Sequence, residues 1–224
     1  IAAKDGLLWI SMEDCVTFAS PGDPGLPCRD YRVALPPDAD PRSVSVRLDD
    51  IEVETLPVEG RVAPVPPYGY WDGAKTVLSW GDDGKTIVDG CNTRVYDRDA
   101  AYPDAHLEPL PAVEMRQWKI APFRFFPIRY NPVARTLERV KRARITVSYS
   151  TAPAAKGLAG PTDPETDDAA KQLLDNYDSV KDAYAAKTSA APKIVTYDYV
   201  ILTTRDTVEK STKLKEFEQL READ

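Results

Sequence analysis

Residues 116–150, RQWKIAPFRFFPIRYNPVARTLERVKRARITVSYS, contain two apolar runs separated by one turn. The turn falls at Tyr130-Asn131-Pro132, because proline cannot donate to a sheet ladder and restricts the residue before it. From Arg142 onward apolar and polar residues alternate, which is the period of a strand with one buried face. The large side chains of the two runs are Trp118, Ile120, Phe123, Phe125, Ile128 and Tyr130, then Leu137, Val140, Ile145, Val147 and Tyr149. The stretch therefore predicts two long strands joined by a turn.

The residues before this hairpin contain short apolar runs punctuated by proline. Residues 7–19 predict an opening strand or strand pair, and alternation in residues 31–35 predicts the next strand. Residues 44–48 and 51–55 alternate as two further strands. Most of the twenty prolines fall in this part of the chain, as in turn-rich β structure. We therefore predict one mainly β domain over residues 1–150.

The composition changes after Ser150. Residues 151–162 are rich in Ala, Gly and Pro, which is typical of a linker. Asp163 and Pro164 then provide an N-cap followed by proline at the first helical position. Apolar residues recur at helical spacing after that: Ala169, Leu173, Tyr177, Val180 and Tyr184. The pattern predicts an amphipathic helix over residues 164–187, within a linker region of residues 151–193.

The last part of the chain has the pattern of a strand followed by a helix. Residues 194–204, IVTYDYVILTT, form a continuous apolar run, as in a parallel-sheet strand buried on both faces. Asp206 and Glu209 have the spacing of a capping box for the next helix. One βα unit cannot bury itself, so we expect the chain to continue beyond Asp224 or a second chain to complete the sheet. Residues 194–224 are therefore predicted to be the incomplete start of an α/β domain.

The charge balance and the length of the apolar runs restrict the classes of partner. The formal net charge is −7, which argues against nonspecific binding to nucleic acid or to an anionic membrane. No run approaches the length of a membrane span. The chain starts at Ile1 without a leader, and we expect either an artificially shortened form or a processed form from which any signal peptide has been removed. The basic run of residues 135–144 is interpreted as a solvated sheet face, and contact with an acidic partner surface stays open.

The residue types used at metal and catalytic centres are few. No pair among Cys15, Cys28 and Cys91 has metal-ligand spacing; a Cys28–Cys91 disulfide, a Cys15–Cys28 disulfide and free thiols all stay open. The segment WGDDGK at residues 80–85 lacks the spacing of a helical calcium loop, and a hairpin turn is the favoured interpretation. His106 is the single histidine, and we interpret it as a surface or packing residue. No metal or other cofactor is predicted for this chain.

Three segments of the chain carry a resemblance to a known family: PGDPGLPCRDYRVALPPDADPRSVSVRLDD (residues 21–50), AYPDAHLEPL (residues 101–110) and FPIRYNPVARTLERVKRARITVSYS (residues 126–150). Together they resemble the N-terminal propeptide of the gingipain-type cysteine peptidases, the C25 family. The segment YDYVILTT at residues 197–204 then resembles the first strand of the catalytic domain of the family. Their order and spacing, which extend over nearly the whole chain, support the resemblance more than any one segment does.

The resemblance implies a β-sandwich propeptide followed by the first βα unit of an α/β, caspase-like catalytic domain. Such a propeptide covers the active site, assists folding and keeps the peptidase latent until proteolysis removes it. The implied partner is the catalytic domain of the same peptidase, in cis or as a nicked second chain, and the implied location is secreted or at the cell surface. Calcium, where the family uses it, would belong to the parent enzyme. Past Pro192 the chain has neither His nor Cys, so no catalytic residue is carried over and the parent, rather than this chain alone, is the expected cysteine endopeptidase.

The resemblance also implies a basic side chain that fills the specificity pocket, and accessible sites for maturation. The loops of residues 72–102 carry four candidates for the pocket: Lys75, Lys85, Arg94 and Arg98. The candidates for maturation cleavage lie in or beside the two linkers: Lys156, Lys187 and Lys193. Ordinary solvated charges are the alternative for each of them.

Two other classes of function stay open from the sequence. One is a β-sandwich binding or adhesion module of a secreted multidomain protein, which explains the strands and prolines but leaves the buried run of residues 194–204 unexplained. The other is an enzyme in its own right, which the lack of a catalytic constellation disfavours. Inhibition of the matching peptidase in trans is expected only of a propeptide.

Overall fold

The computed structural model describes residues 1–81, 84, 86–151, 164–185 and 204–222. The chain divides into two compact units, Ile1–Thr188 and Ser189–Asp224. No helix in the described residues is long and apolar enough to cross a membrane.

The first unit is mainly β, as predicted. Its strands are β1 Ala2–Lys4, β2 Leu7–Trp9, β3 Val16–Thr17, β4 Pro27–Ala34, β5 Ser45–Pro57, β6 Arg61–Val62, β7 Tyr68–Trp71, β8 Thr76–Ser79, β9 Ile87–Val88, β10 Cys91–Asn92, β11 Leu107–Pro109, β12 Val113–Met115, β13 Trp118–Phe125, β14 Ile128–Asn131 and β15 Thr136–Ser148. Its helices are α1 Thr93–Tyr96, α2 Pro164–Leu173 and α3 Tyr177–Ala185, with a 3-10 turn at Pro41–Ser43. The strands form several small sheets instead of two continuous ones.

Two of these sheets contain the longest strands. In one, the order is β11-β13-β4-β3, with β12 also pairing with β13. In the other, the order is β14-β15-β5. Smaller sheets have the orders β1-β2-β6, β10-β9 and β7-β8. Leu35 and Ala121 of the first large sheet pack with Val147 of the second, so the two sheets share a core.

The first predicted strand of the hairpin is two strands that belong to different sheets. β13 ends at Phe125 and pairs with β4, whereas β14 begins at Ile128 and pairs with β15. The break lies at Phe126 and Pro127, because proline lacks the N–H that a continuous ladder needs. Residues 116–150 therefore connect the two large sheets.

The second predicted strand of the hairpin is confirmed, and its partner is a single long strand. β15 pairs with β5 over the full length of both, with Leu137 opposite Leu56 and Val147 opposite Val46. The two strands predicted at residues 44–48 and 51–55 are thus one strand. The ladder has two register irregularities, one after Val140 and one after Ala143.

The main core lies beneath β14, β15 and the short strands around them. It consists of Ile10, Leu26, Val62, Cys91, Tyr96, Ile128, Tyr130 and Leu137, each less than a tenth exposed. Burial of apolar side chains of this size stabilises a fold by about 1.5–3 kcal/mol each. The turn after β14 is closed by the side chain of Asn131, which accepts a hydrogen bond from the Ala134 N–H at 3.0 Å.

The helix predicted over residues 164–187 is interrupted. α2 ends at Leu173 and α3 begins at Tyr177, so the apolar stripe is not continuous. Its first part lies one residue later than predicted: Ala170 and Leu174 are buried, whereas Leu173 is exposed. Both helices pack on the β4–β13 sheet through Ala34, Trp118 and Ile120.

The described part of the second unit contains α4 Arg205–Lys210 and α5 Thr212–Glu222. The side chain of Thr204 caps α4 by accepting from the Thr207 N–H at 3.3 Å. The capping box predicted at Asp206 is therefore wrong, because the helix begins two residues earlier than that cap requires. The strand predicted at residues 194–204 lies, apart from Thr204, outside the described residues.

Candidate functional site

The strands β7 and β8 form a two-stranded ribbon with exposed aromatic side chains. Tyr68 and Tyr70 project from one face, because side chains alternate along a strand. Trp71 and Leu78 project from the other face, and each is 66% exposed. Isolated exposed apolar residues are ordinary, but four on one short ribbon make it a candidate interaction surface. We call residues 68–79 the aromatic ribbon.

A compact turn closes the aromatic ribbon at its tip. The side chain of Asp72 accepts hydrogen bonds from the N–H groups of Ala74 and Lys75, both at 2.9 Å. These backbone donors, that of Lys75 first, hold the pKa of Asp72 below its usual value. Gly73 adopts a positive φ of 102°, a conformation that other residues rarely take. Lys75 is exposed at this tip.

The other basic candidates lie at the short helix α1. Arg98 follows the helix and forms an ion pair with Asp104, with 2.9 Å between Nη2 and Oδ1. Arg94 lies within the helix, where its backbone N–H donates to the side chain of Asn92. The structure therefore separates Lys75, on the ribbon, from Arg94 and Arg98, on α1 and the loop after it. Lys85 lies outside the described residues.

A buried polar group anchors α1 and was not predicted from the sequence. Asp23 is 7% exposed, and its carboxylate accepts from Asn92 Nδ2 at 2.7 Å and from the Tyr102 hydroxyl at 3.3 Å. Asn92 is also the N-cap of α1. Burial and the nearby Asp23 carboxylate raise the pKa of Tyr102 above its ordinary value. A buried carboxylate needs such partners, so this group holds α1 against the body of the domain.

The loop between α1 and β11 is tied to β14. Arg129 donates from Nε to the Pro103 carbonyl at 2.7 Å and from Nη2 to the Asp104 carbonyl at 3.0 Å. His106 is buried, and its Nδ1 contacts the Phe126 carbonyl at 2.8 Å. Desolvation, followed by the positive charge of Arg129, lowers the pKa of His106. The histidine is therefore a packing residue that is neutral near pH 7.

The basic run of residues 135–144 faces acidic residues of β5. Glu54 pairs with Arg139 and with Lys141, the latter at 3.1 Å, and these partners lower the pKa of the carboxyl. Arg144 pairs with Asp50 at 3.4 Å. These pairs fit the interpretation as a solvated sheet face, because their basic side chains are about half exposed or more and three of the five basic residues of the run pair within the ladder.

No reactive centre is assembled in the described residues. Cys15, Cys28 and Cys91 are free thiols, and burial raises the pKa of Cys15 and of Cys28. Within the same part of the chain, no three His, Cys, Asp or Glu side chains are grouped as metal ligands would be. The maturation candidates Lys156, Lys187 and Lys193 lie outside the described residues.

The strands described above define a mainly β domain that carries an exposed aromatic ribbon. The sequence model of the family Propeptide_C25 matches residues 3–183, most of the chain. The chain therefore belongs to the C25 propeptide family and is the propeptide of a gingipain-type cysteine peptidase, as the resemblance implied. This membership decides between the propeptide and the adhesion module.

Solved structures of Porphyromonas gingivalis proteins are similar to the chain. One is a complex of the RgpB pro- and mature domains, with 19% identity, coverage of 75% of this chain and 78% of that chain, and a TM-score of 0.52. A structure described in terms of the zymogenic latency of gingipain K has 21% identity, coverage of 62% and 72%, and a TM-score of 0.44. No curated protein matches the chain. At this level of identity the RgpB structure shows the fold alone.

Proposed function

We propose that this propeptide keeps the catalytic domain of its own peptidase latent by covering the active site, and that it assists folding of that domain. The observation that carries the proposal is the aromatic ribbon, which exposes apolar side chains on both faces and a lysine at its tip. The similar RgpB structure is a complex of pro- and mature domains, which supports a catalytic domain as the partner.

A lasting inhibitory complex requires a large, well-packed contact. Stable interfaces bury about 800 Å² on each partner, and Tyr and Trp contribute disproportionately to their binding energy. The aromatic ribbon supplies Tyr68, Tyr70 and Trp71 within four residues. Because both of its faces are apolar, the ribbon is suited to a cleft, where each face meets a wall.

Lys75 is the residue we assign to the specificity pocket. It is at the tip of the ribbon, and the Asp72 bonds hold its backbone in a closed turn. A preorganised turn loses less entropy on binding than a free loop, and it resists the extended geometry needed for cleavage. Arg98 is already paired with Asp104, and Arg94 lies within a helix, so neither is presented in the same way. Lys85 stays a prediction.

Inhibition of the matching peptidase in trans tests this function. Lys75→Ala should weaken inhibition at least about tenfold, the loss of about 1.4 kcal/mol of binding. Lys75→Arg tests whether the pocket accepts any cation or only lysine. Arg98→Ala is the matched control, and it should leave inhibition within about twofold of the parent chain. Equal inhibition by all the chains would exclude Lys75 from the pocket.

The remaining expectations extend the proposal beyond the described residues. In this proposal the two large sheets, which share a core, form the β-sandwich of a secreted or cell-surface peptidase. The helical segment joins it to residues 194–224, which begin the caspase-like catalytic domain. Maturation occurs after Lys187 or Lys193, which precede that domain, or after Lys156. N-terminal sequencing of the mature peptidase tests the cleavage site, and a mature chain that starts within residues 164–185 would exclude all three lysines.

A further inference from the structure

The free edge of β4 is covered by a turn that forms hydrogen bonds with it as a neighbouring β-strand would. β13 occupies one edge of β4, and on the other edge β3 reaches only Pro27 and Cys28. Arg32 and Ala34 direct their N–H and C=O groups toward that second edge, where the turn between α2 and α3 lies. Unpaired edges of this kind otherwise accept strands from other molecules.

The hydrogen bonds of this turn follow the pattern of an antiparallel ladder. Asp175 exchanges two bonds with Arg32: its N–H donates to the Arg32 carbonyl at 3.0 Å, and its carboxylate accepts from the Arg32 N–H at 2.7 Å. Asn176 does the same with Ala34 through its side-chain amide, at 2.7 and 2.9 Å. Arg32 and Ala34, which are two residues apart on β4, therefore each donate one hydrogen bond to the turn and accept one from it. The hydrogen-bonded residue pairs of an antiparallel ladder have the same pattern.

A third contact fixes α3 on the same sheet. The Tyr184 hydroxyl donates to the Leu35 carbonyl at 2.6 Å and accepts from the Lys119 N–H at 3.1 Å. The ring of Tyr184 packs on Trp118 with 4.2 Å between ring centroids. Trp118 is fully buried, and its cover includes Leu174, the residue that follows α2. We call Asp175, Asn176 and Tyr184 the edge clasp.

We propose that the edge clasp is a regulatory contact that controls latency. While the clasp is docked, the β4–β13 sheet is closed and Trp118 is covered, and the propeptide holds its inhibitory shape. When the clasp is released, the β4 edge and Trp118 become accessible and inhibition is lost. In this proposal residues 164–185 contribute to inhibition, whereas their sequence predicts only a linker helix.

The chemistry of the contact makes release selective. The ladder bonds of the clasp reach only main-chain groups of Arg32 and Ala34, so substitution of the Arg32 side chain leaves these bonds in place, whereas a change at Asn176 removes a ladder pair directly. Asp175 also lies near Arg29, with 3.5 Å between the carboxylate and Nη2. This pair is partly exposed and adds little to the docking.

The test uses the full chain of residues 1–224 and the variant Asn176→Asp. This change keeps the size of the side chain but points a carboxylate oxygen at the Ala34 carbonyl, where the amide now donates. Asp178→Asn is the matched control, because Asp178 is exposed on α3 and pairs only locally with Lys181. Asn176→Ala, which removes the bonds without adding charge, replaces the aspartate variant if that variant does not fold.

Two readouts are required, because the regulatory role depends on the proposed inhibition. Hydrogen exchange at the amides of Arg32 and Ala34 reports docking, and inhibition of the matching peptidase reports latency. We expect exchange to be at least about tenfold faster and inhibition at least about tenfold weaker in the Asn176 variant, with the control unchanged. Faster exchange with unchanged inhibition overturns the regulatory role, and unchanged exchange overturns docking itself. A parent chain that does not inhibit overturns the proposed function, while exchange still decides whether the clasp docks.

Discussion

The hydroxyl of Tyr184 gives the sharpest prediction of stability, because Tyr184→Phe removes one oxygen and leaves the ring against Trp118. That oxygen serves two main-chain groups, the Leu35 carbonyl and the Lys119 N–H. A buried polar group that loses its partner costs about 1–3 kcal/mol. Leu35 is 1% exposed, so the cost of leaving its carbonyl without a partner should be near the upper value. Lys119 is half-buried, so the cost for its N–H should be near the lower value. The free energy of unfolding should therefore fall by about 2–4 kcal/mol.

Urea unfolding followed by tryptophan fluorescence measures this loss. With a slope of about 2 kcal/mol per molar urea, the midpoint should fall by about 1–2 M. Tyr68→Phe is the matched control, because Tyr68 is 50% exposed on the aromatic ribbon and its change should stay within about 0.5 kcal/mol. If Tyr184→Phe also stays within 0.5 kcal/mol at an unchanged slope, then its hydroxyl does not bridge the two backbone groups.

Three further predictions concern pH, the buried carboxylate and the ribbon. The pKa of His106 is lower in the folded chain than in the unfolded chain, so the unfolded chain binds the extra proton and stability falls as pH drops below about 6.5. His106→Gln should therefore reduce the change in melting temperature between about pH 7.5 and 5.5. If this change is the same in the variant as in the parent chain, other groups are responsible for it. Asn92→Ala leaves Asp23 with one fewer partner and uncaps α1, so thermal unfolding should reveal a loss of about 2–4 kcal/mol; a loss below 1 kcal/mol would contradict the buried pair. Trp71→Ala should weaken inhibition at least about tenfold while the melting temperature stays constant, and a parallel loss of stability would mean that Trp71 is part of the fold.

Periodicity was a sufficient guide to the class of fold and to the longest strands, β4, β5, β13 and β15. The alternation after Arg142 predicts β15, and the turn at Asn131 lies where proline ends the run. These features are local, because the alternation of side chains along one strand shows directly which face is buried. Helical spacing likewise predicted helix after Pro164, although it could not show the interruption before Tyr177.

The candidate site could be predicted only as a set of residue types. Four basic residues were possible from sequence, and the structure distinguishes three of them by context: Lys75 at a ribbon tip, Arg94 within a helix and Arg98 in an ion pair. The Asp23–Asn92 pair was missed, because the two residues are 69 positions apart and neither belongs to a motif. The sequence of a short segment such as residues 68–79 also does not indicate whether other parts of the domain pack on its strands.

The sequence alone determined the mainly β class, the turn after β14, the helical character of residues 164–185 and the resemblance to the C25 propeptides. Only the tertiary structure decided that β13 and β14 belong to different sheets, that both faces of the aromatic ribbon are exposed and that Asn176 completes the edge of β4. The physical reason is the range of the interactions. Periodicity records the local alternation of burial, whereas the edge contact between Ala34 and Asn176 joins residues 142 positions apart, and no local pattern encodes it or the pairing of β4 with β13.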